Sequence, residues 1–482
     1  MACILRSNDG SAIVSDTYEL GESATMSSAL DALVAAFPDN PPETEISEKY
    51  FGDWLMRAAP GVRPLALFRP RSTQEVSDAL RIATAHRIPV VPQGGLTGLT
   101  GGTVPNDGAL LISMERMNKI EAVDPVSQTL TTQAGVPLEA IQIAADAAGM
   151  LFPLDIGSRG TCQIGGNLST NAGGNRVLRY GMARAMVLGL EAVLADGTIV
   201  SSMNQMLKNN AAYDLKQVFI GSEGTLGLIT RVVLRMAPKP RSIATSLASF
   251  ADYAAIERFL GLARERLGDS LSAFEVMWPE FYVRAAAKQA APPPLAPGAG
   301  GYVITEVSSS GEQAEAELAA FLEAAFEQGI AADAVLAQSV QQTRAIWAVR
   351  DMGGELIQAF NPVGNFDISV PTSRIGAFVE NCTAALEARW PGTTQIYFGH
   401  VCDGNVHLIA GGFGPDDLLA VEEAVYEVAT ALDGSISAEH GIGLHKRDFL
   451  HLSRSADEIA TMRRLKAAFD PLGILNPGKV LA

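Results

Sequence analysis

Apolar residues recur at helical spacing after Ser72, at Val76, Ala79, Leu80 and Ala83, and Ser72 with Glu75 three positions on has the form of a capping box. The spacing predicts a helix over 73–87. Ile88-Pro-Val-Val-Pro92 then reads as a short buried strand that runs into Gln93-Gly-Gly-Leu-Thr-Gly-Leu-Thr-Gly-Gly102, where five of ten residues are glycine. Further strand patterns follow at Ala109–Ser113, Lys119–Val123 and Thr129–Ala134. Pro137 and Gly149 bracket a predicted helix, because proline suits a helix start and glycine its end. Met186–Leu194 and Thr198–Val200 around Asp196-Gly197 read as a hairpin, and Gly227–Met236 as another strand.

After Pro238-Lys-Pro240 the pattern changes to long amphipathic helices between well-separated strands: strands at Tyr302–Val307, Phe366–Val370 and Thr394–Gly399, helices at Glu312–Gln328 and Ser373–Trp390. Helices packed on an antiparallel sheet are the expected arrangement. The proline-rich stretch Ala290–Gly301 is the best loop candidate there, and no repeat of fixed period is visible. The chain therefore divides into 1–240 (core about 20–240), 241–430, and a glycine-punctuated segment 431–482 that ends Asp470-Pro-Leu-Gly-Ile-Leu-Asn-Pro-Gly-Lys479.

At 482 residues, 48% hydrophobic and a net charge of −17, this is a multi-domain globular chain with enough apolar surface for more than one core. The acidic balance excludes the clustered basic surface that nucleic acid requires. Four cysteines, Cys3, Cys162, Cys382 and Cys402, are too scattered for a zinc or redox motif and read as reduced thiols. The first thirty residues, with Asp9, Asp16, Glu19 and Glu22, lack the basic-then-apolar layout of a signal peptide, and no apolar run reaches the roughly 18 residues of a membrane span. The expectation is a soluble cytoplasmic protein, with peripheral membrane contact left open.

Glycine clusters let backbone N–H groups close on phosphate oxygens. A second cluster, Gly157-Ser-Arg-Gly-Thr-Cys-Gln-Ile-Gly-Gly-Asn-Leu-Ser-Thr-Asn-Ala-Gly-Gly174, lies about sixty residues after the first, and neither reads G-x-G-x-x-G into a helix or carries a P-loop lysine. Nicotinamide binding is thereby disfavoured. Pro92-Gln-Gly-Gly-Leu-Thr-Gly98, the Gly157–Gly174 run and Gly221-Ser-Glu-Gly-Thr-Leu-Gly-Leu-Ile-Thr230 resemble the flavin-binding half of the vanillyl-alcohol-oxidase family. The resemblance implies an α+β fold: a two-lobed FAD-binding domain, an antiparallel-sheet substrate or cap domain, and a C-terminal helical segment. It implies FAD contacts from Gln93, Gly94, Gly95, Leu96, Thr97, Gly98 and Leu99, and from Gly157, Ser158, Cys162, Gly165, Gly166, Thr170, Asn171 and Gly174. Glu223, Ile229 and Asn476 would also approach the cofactor. The first loop holds no His or Cys that could tether a flavin, and Cys162 has a position ordinary for non-covalent members, so dissociable FAD is expected.

Of six histidines, five fall in the last 83 residues. His400-Val-Cys-Asp-Gly-Asn-Val-His407 places two imidazoles on either side of a tight bend, and Glu439-His440 adds a carboxylate and a third imidazole. Such donors suit Zn²⁺, Mn²⁺ or Fe²⁺, whereas His445 and His451 read as hydrogen-bonded structural residues. The segment resembles the His-x-Gly-Asp-Gly-Asn-x-His and Glu-His-Gly-x-Gly motifs of the D-2-hydroxy-acid dehydrogenase branch, with Cys402 in place of one glycine. Carried over, His400, His407 and Glu439 would hold a divalent metal, zinc or manganese, and His440 would be the catalytic base. Trp347-Ala-Val-Arg350 is similar to the branch's Trp-x-x-Arg, whose arginine grips the substrate carboxylate.

Members that act on D-2-hydroxyglutarate carry Thr, Lys and Asn where this chain has Gly354, Asn365 and Ile409, although Asp367-Ile-Ser-Val-Pro371 is like theirs. A distal carboxylate without those partners is penalised. The expected substrate is a D-2-hydroxy acid with a small or apolar side chain, D-lactate first, in a pocket that includes Arg350, Asn365, Ile409 and His440; D-2-hydroxyglutarate stays open. So do a non-catalytic flavin-binding partner subunit and a metal-dependent hydrolase. A separate electron acceptor is expected, an electron-transfer flavoprotein, a quinone or a cytochrome, and a homodimer is the default assembly.

Overall fold

The computed structural model describes residues 16–481, with side chains from residue 25 on; Cys3 and Asp9 lie outside what is described, and Asp16, Glu19 and Glu22 fall in the helix Asp16–Ala36. Strands β1 (Ala66–Phe68), β2 (Val90–Gln93) and β3 (Leu110–Ser113) form a parallel sheet in the order β1-β3-β2. The crossover between β1 and β2 is the helix Thr73–His86, one residue shorter than its spacing predicts. Its start is half of the expected capping box. Ser72 accepts the Glu75 N–H at 3.2 Å, but the Glu75 carboxylate turns away to Asn40 and the Arg71 N–H.

The second lobe holds β4 (Ile120–Asp124), β5 (Thr129–Gln133), β6 (Met150–Leu151), β7 (Val187–Val193), β8 (Ile199–Ser202), β9 (Leu228–Arg235) and β10 (Ala237–Pro238). Five of them build an antiparallel sheet, β4-β5-β9-β7-β8, while β6 and β10 pair as a short ribbon. The β7–β8 hairpin turns at Asp196-Gly197 with Gly197 at φ +80°, and a Cβ there would come within 2.4 Å of the Arg81 side chain on the crossover helix. Glycine therefore serves both the turn and the close packing of the two lobes. The helix Leu138–Ala147 starts after Pro137, and Gly149 beyond its end takes φ +72°. The glycine-rich Gly157–Gly174 stretch is not all loop, since Ile164–Ser169 is a short helix within it.

From Ser242 a third unit begins: β11 (Ser242–Phe250), β12 (Leu271–Met277), β13 (Gly301–Ser309), β14 (Asp333–Leu336), β15 (Val363–Ser369), β16 (Thr394–Gly399) and β17 (Asn405–Gly411). They form a seven-stranded sheet, β14-β11-β13-β12-β16-β17-β15, in which every pair is antiparallel. Side chains alternate across it. Phe274, Val276, Phe366, Ile368, Tyr397, Leu408 and Ala410 pack against the helices Tyr253–Leu267, Ala314–Glu327, Ile375–Arg389 and Leu418–Ala431. The intervening residues Glu275, Asn365, Asp367 and His407 must therefore use the other face, which the β15–β17 register aligns by setting Asp367 beside His407. The chain finally returns to the first lobe, where Val90 donates to Ile474 O and Asn476 donates to Val90 O, both at 2.7 Å, so that residues 474–476 run along β2. The architecture is α+β, with parallel and antiparallel sheets that carry a common cleft.

Candidate active site

A cleft of about 870 Å³ runs from the two glycine loops to the histidine cluster. Residues 93–99 line it, with Gly157, Ser158, Cys162, Gly165, Gly166, Thr170, Gly174, Glu223 and Ile229. Arg350, Asn365, His400, His407, Glu439 and His440 line its other end. The glycines there do two jobs. A Cβ on Gly95 would stand 2.1 Å from Thr161 O, so the loops can touch only if that residue is bare; a Cβ on Gly157 or Gly166 would meet no protein atom within 4 Å, so those backbones are open to a ligand. Gln93, Gln163 and Asn167, which line the same cleft, each keep a buried side-chain oxygen without a hydrogen-bond partner. Bare backbone and orphaned polar atoms fit a large polar ligand of the FAD kind.

Three residues of the sequence reading stand elsewhere. Asn171 caps its own loop, accepting the Arg184 N–H at 2.9 Å. Asn476 donates to Gly102 O and Glu223 O at 3.0 and 2.8 Å, and so braces the first glycine loop from behind. Ile409 is fully buried among Met277, Phe281, Ile346 and Phe398, one step along β17 from His407 on the same face but inside the core. Glu223 does line the cleft, yet its carboxylate is taken up by the N–H groups of Ile442 (2.7 Å) and Gly443 (2.8 Å), and burial pushes its pKa up to about 7. Leu96 and Glu223, both lining the cleft, hold positive φ although neither is glycine. The Cys162 thiol is buried and its pKa is raised by that burial, which keeps it protonated and unreactive.

At the other end, ligand atoms of His400, His407 and Glu439 lie within 4.8 Å of one another. His400 Nε2 is 3.8 Å from Glu439 Oε1 and His407 Nε2 is 4.0 Å from Glu439 Oε2, too far for hydrogen bonds and suited to donors that share an ion. Behind His400, Nδ1 is hydrogen-bonded to Glu275 Oε1, and the other Glu275 oxygen accepts Nε of Arg350 at 2.8 Å. A carboxylate behind a ligating imidazole is the usual support of a metal histidine. The donor set fits a divalent cation.

The charges follow from these contacts. Burial alone would raise the Glu275 pKa, but His400 and Arg350 hold it down at about 2. Burial would lower that of His400, yet Glu275 and Glu439 outweigh it and bring it to about 9. Glu439 is pushed up to about 7 by burial, while His407 and His440 are lowered by theirs. His440 is thus neutral at neutral pH and able to accept a proton. Arg350 ends the helix Val340–Arg350 with its guanidinium carbon 4.9 Å from the Phe398 ring centroid, so its charge is aimed on both sides.

Glu275 escapes the sequence reading, although an acidic residue inside the apolar run Leu271–Met277 carries a signal: once buried it must be paired. His445 pairs with Glu422 at 2.5 Å, and His451 Nδ1 lies 2.9 Å from Asp448 O, both structural. Cys402 packs in the cap core.

Residues 64–202 match the family described as FAD binding domain, and residues 239–480 the family described as FAD linked oxidases, C-terminal domain. The D-2-hydroxyglutarate dehydrogenase of Xanthomonas citri pv. viticola is 40% identical over 442 residues, covering 90% of this chain and 92% of that one. The mitochondrial D-2-hydroxyglutarate dehydrogenase of Bos taurus is 40% identical over 435 residues, 89% of this chain and 78% of that one. Among solved structures, p-cresol methylhydroxylase superposes with a TM-score of 0.75 at 17% identity, over 95% of this chain and 97% of that one. Alkyldihydroxyacetonephosphate synthase does so at 0.68 and 17%, over 86% and 76%. At that identity the two structures speak to the fold alone. The family matches and the relatives agree: the chain belongs to the FAD-linked oxidases, in the family of FAD-linked D-2-hydroxy-acid dehydrogenases.

Proposed function

We propose that the enzyme oxidises a D-2-hydroxy acid with a small or apolar side chain, D-lactate first, to the 2-keto acid, using non-covalent FAD and a divalent zinc or manganese ion. The observation that carries this reading is the convergence of His400, His407 and Glu439 with Arg350 and His440 at one end of the glycine-lined cleft. FAD, when bound, supplies a two-electron acceptor, and the cation a Lewis acid for the substrate hydroxyl. The residues do the rest. Arg350, whose Nε is given to Glu275 and whose Nη2 lies 3.4 Å from His400 Nε2, receives the substrate carboxylate on the guanidinium N–H groups that these contacts leave free. His440, neutral through burial, takes the hydroxyl proton as the Cα hydride leaves. The electrons then pass to a separate acceptor.

The side-chain preference rests on charge. Among the described residues that line the cleft, the lysine and arginine cations are Arg159 and Arg350, and Arg159 is paired with Asp155 at 2.7 Å. Among the described residues, no further lysine or arginine lines the cleft to meet a distal carboxylate. D-2-hydroxyglutarate is the second reading, favoured by the names of the relatives and by the buried Asn365 Nδ2, a donor without a partner in the cleft. Steady-state kcat/KM with an artificial electron acceptor separates them. A ratio of D-lactate to D-2-hydroxyglutarate above about 10 is expected, corresponding to roughly 1.4 kcal/mol. A ratio inverted by the same factor overturns the preference while leaving the reaction class in place.

A further inference from the structure

We infer that Asp367 is a positioning residue shared by His407 and His440, turning Nδ1 of both rings inward and presenting Nε2 of both to the cleft; the role of His440 here rests on the reading just given. Asp367 lies on β15 with no exposed surface. Its Oδ1 accepts the Asn405 amide at 2.8 Å. Its Oδ2 accepts three successive backbone N–H groups, from Ala438 (3.1 Å), Glu439 (2.8 Å) and His440 (2.8 Å), and the Ser437 hydroxyl at 3.3 Å. One carboxylate thus fixes the turn that carries both the ligand Glu439 and the base His440.

The same carboxylate sits between two imidazoles. Nδ1 of His407 is 3.8 Å from Oδ1, and Nδ1 of His440 is 3.8 Å from Oδ2. The rings are nearly parallel, 15° apart with centroids at 5.7 Å. At that distance there is no hydrogen bond, but in a buried site the negative charge favours the tautomer with its N–H toward Asp367 over one that presents a lone pair to it. Nε2 of each ring then keeps its lone pair on the cleft side, as a ligand atom on His407 and a proton acceptor on His440. His400 receives the equivalent support from Glu275 through a direct bond. Asp367 does not itself line the cleft, and it acts through the two histidines and the turn that do.

Asp367→Asn and Asn405→Ala, each in the full-length FAD-loaded protein, test this. Mn²⁺ binding is read by calorimetry without substrate, and kcat and its solvent deuterium isotope effect are read at saturating Mn²⁺. Asp367→Asn is expected to keep its flavin absorbance, to bind Mn²⁺ about 10–100-fold more weakly, and to lose about 100-fold or more in kcat. Its isotope effect should rise, because a base held in the wrong tautomer makes proton transfer slow. Asn405→Ala, which removes one donor and leaves the carboxylate, should move the same quantities a few-fold. Mn²⁺ affinity within twofold of wild type in both variants overturns the inference, as does a kcat fully restored by Mn²⁺ with an unchanged isotope effect. Should Asp367→Asn fail to fold, Asn405→Ala decides. If the wild type is reduced by no D-2-hydroxy acid but Asp367→Asn still weakens Mn²⁺ binding, the proposed reaction fails and the positioning of His407 stands.

Discussion

Glu275 Oε2 accepts Nε of Arg350 at 2.8 Å, so the arginine proposed to receive the substrate carboxylate is held by a carboxylate whose other oxygen holds His400. With Glu275 only 1% exposed, neither contact is screened by water. Glu275→Gln keeps the shape but not the charge. The expected result is a kcat/KM about 100-fold lower, carried mainly by KM as Arg350 loses its aim, with the flavin spectrum intact. An unchanged KM for the hydroxy acid would contradict the assignment of Arg350.

The glycine loops can be tested apart from chemistry. A Cβ on Gly95 would stand 2.1 Å from Thr161 O and 2.8 Å from the Cys162 Cα, both backbone atoms that cannot yield cheaply. Gly95→Ala is therefore expected to lower the stability of the flavin-free protein by about 1–3 kcal/mol. Gly166→Ala meets no protein atom and lies in the helix Ile164–Ser169, so it should leave that stability unchanged or raise it by up to about 1 kcal/mol, and weaken FAD binding instead. Denaturant unfolding of the stripped protein, set beside FAD titration, distinguishes the two. Equal effects of both substitutions on the stripped protein would argue against a cofactor at Gly166.

Substrate range should respond to Asn365 and Gly354 and not to Ile409. A Cβ on Gly354 meets nothing within 4 Å, and Asn365, which lines the cleft, has its buried Nδ2 without a partner. Asn365→Lys with Gly354→Thr is expected to raise the ratio of kcat/KM for D-2-hydroxyglutarate over D-lactate by about 10-fold or more, which a charge pair in a poorly solvated pocket can supply. Ile409→Asn would bury an amide among Met277, Phe281 and Phe398 and should destabilise the fold by about 2–4 kcal/mol. No movement in the double variant's ratio sinks the charge argument for the side-chain pocket.

Much of this is legible in the chain itself. The strand Thr394–Gly399 and the crossover helix after Ser72 are local features, set by alternation, spacing and a cap, and their observed bounds match or come within one residue of those the pattern predicts. The bracket of His400 and His407 is legible because a bend of a few residues between two strands must bring the ends together. Glu275 is not, since its partners lie 75 and 125 residues away and only the sheet order sets β12 beside β16. Ile409 is misplaced for a subtler reason. Alternation gives it the face of His407, but how far the core extends along that face depends on Phe281 and Phe398, from other elements. Asn171, inside the second glycine run, and Asn476, near the C-terminus, bond backbone with their side-chain amides, a distinction that one sequence does not draw.

A pH prediction comes from the first lobe, away from the site. Lys479 is 4% exposed and donates to Asn106 Oδ1 at 2.7 Å, and burial, helped by the charge of Arg447, lowers its pKa to about 8. In the unfolded chain the same amine titrates near 10.4. The folded state releases its proton first, so this group adds stability as pH rises from about 8 to 10.4 and penalises folding fully below 8. Lys479→Met should remove that dependence. Its stability relative to wild type is expected to be about 2 kcal/mol more favourable at pH 7.5 than at pH 10.5. Urea unfolding at the two pH values checks this, and a difference that stays constant would mean that Lys479 is not held neutral.

The central claim is that a D-2-hydroxy acid reduces a flavin in this cleft by way of the His400, His407, Glu439 and His440 cluster. Its most direct test is an anaerobic visible spectrum of the FAD-loaded protein, taken before and after D-lactate, L-lactate and D-2-hydroxyglutarate, with Mn²⁺ or Zn²⁺ present or chelated. The account gives bleaching of the oxidised-flavin band by the D-acid alone, lost on chelation and in His440→Ala, and restored by the ion. A band that bleaches equally without the ion, or with the L-isomer, or in His440→Ala, would contradict it.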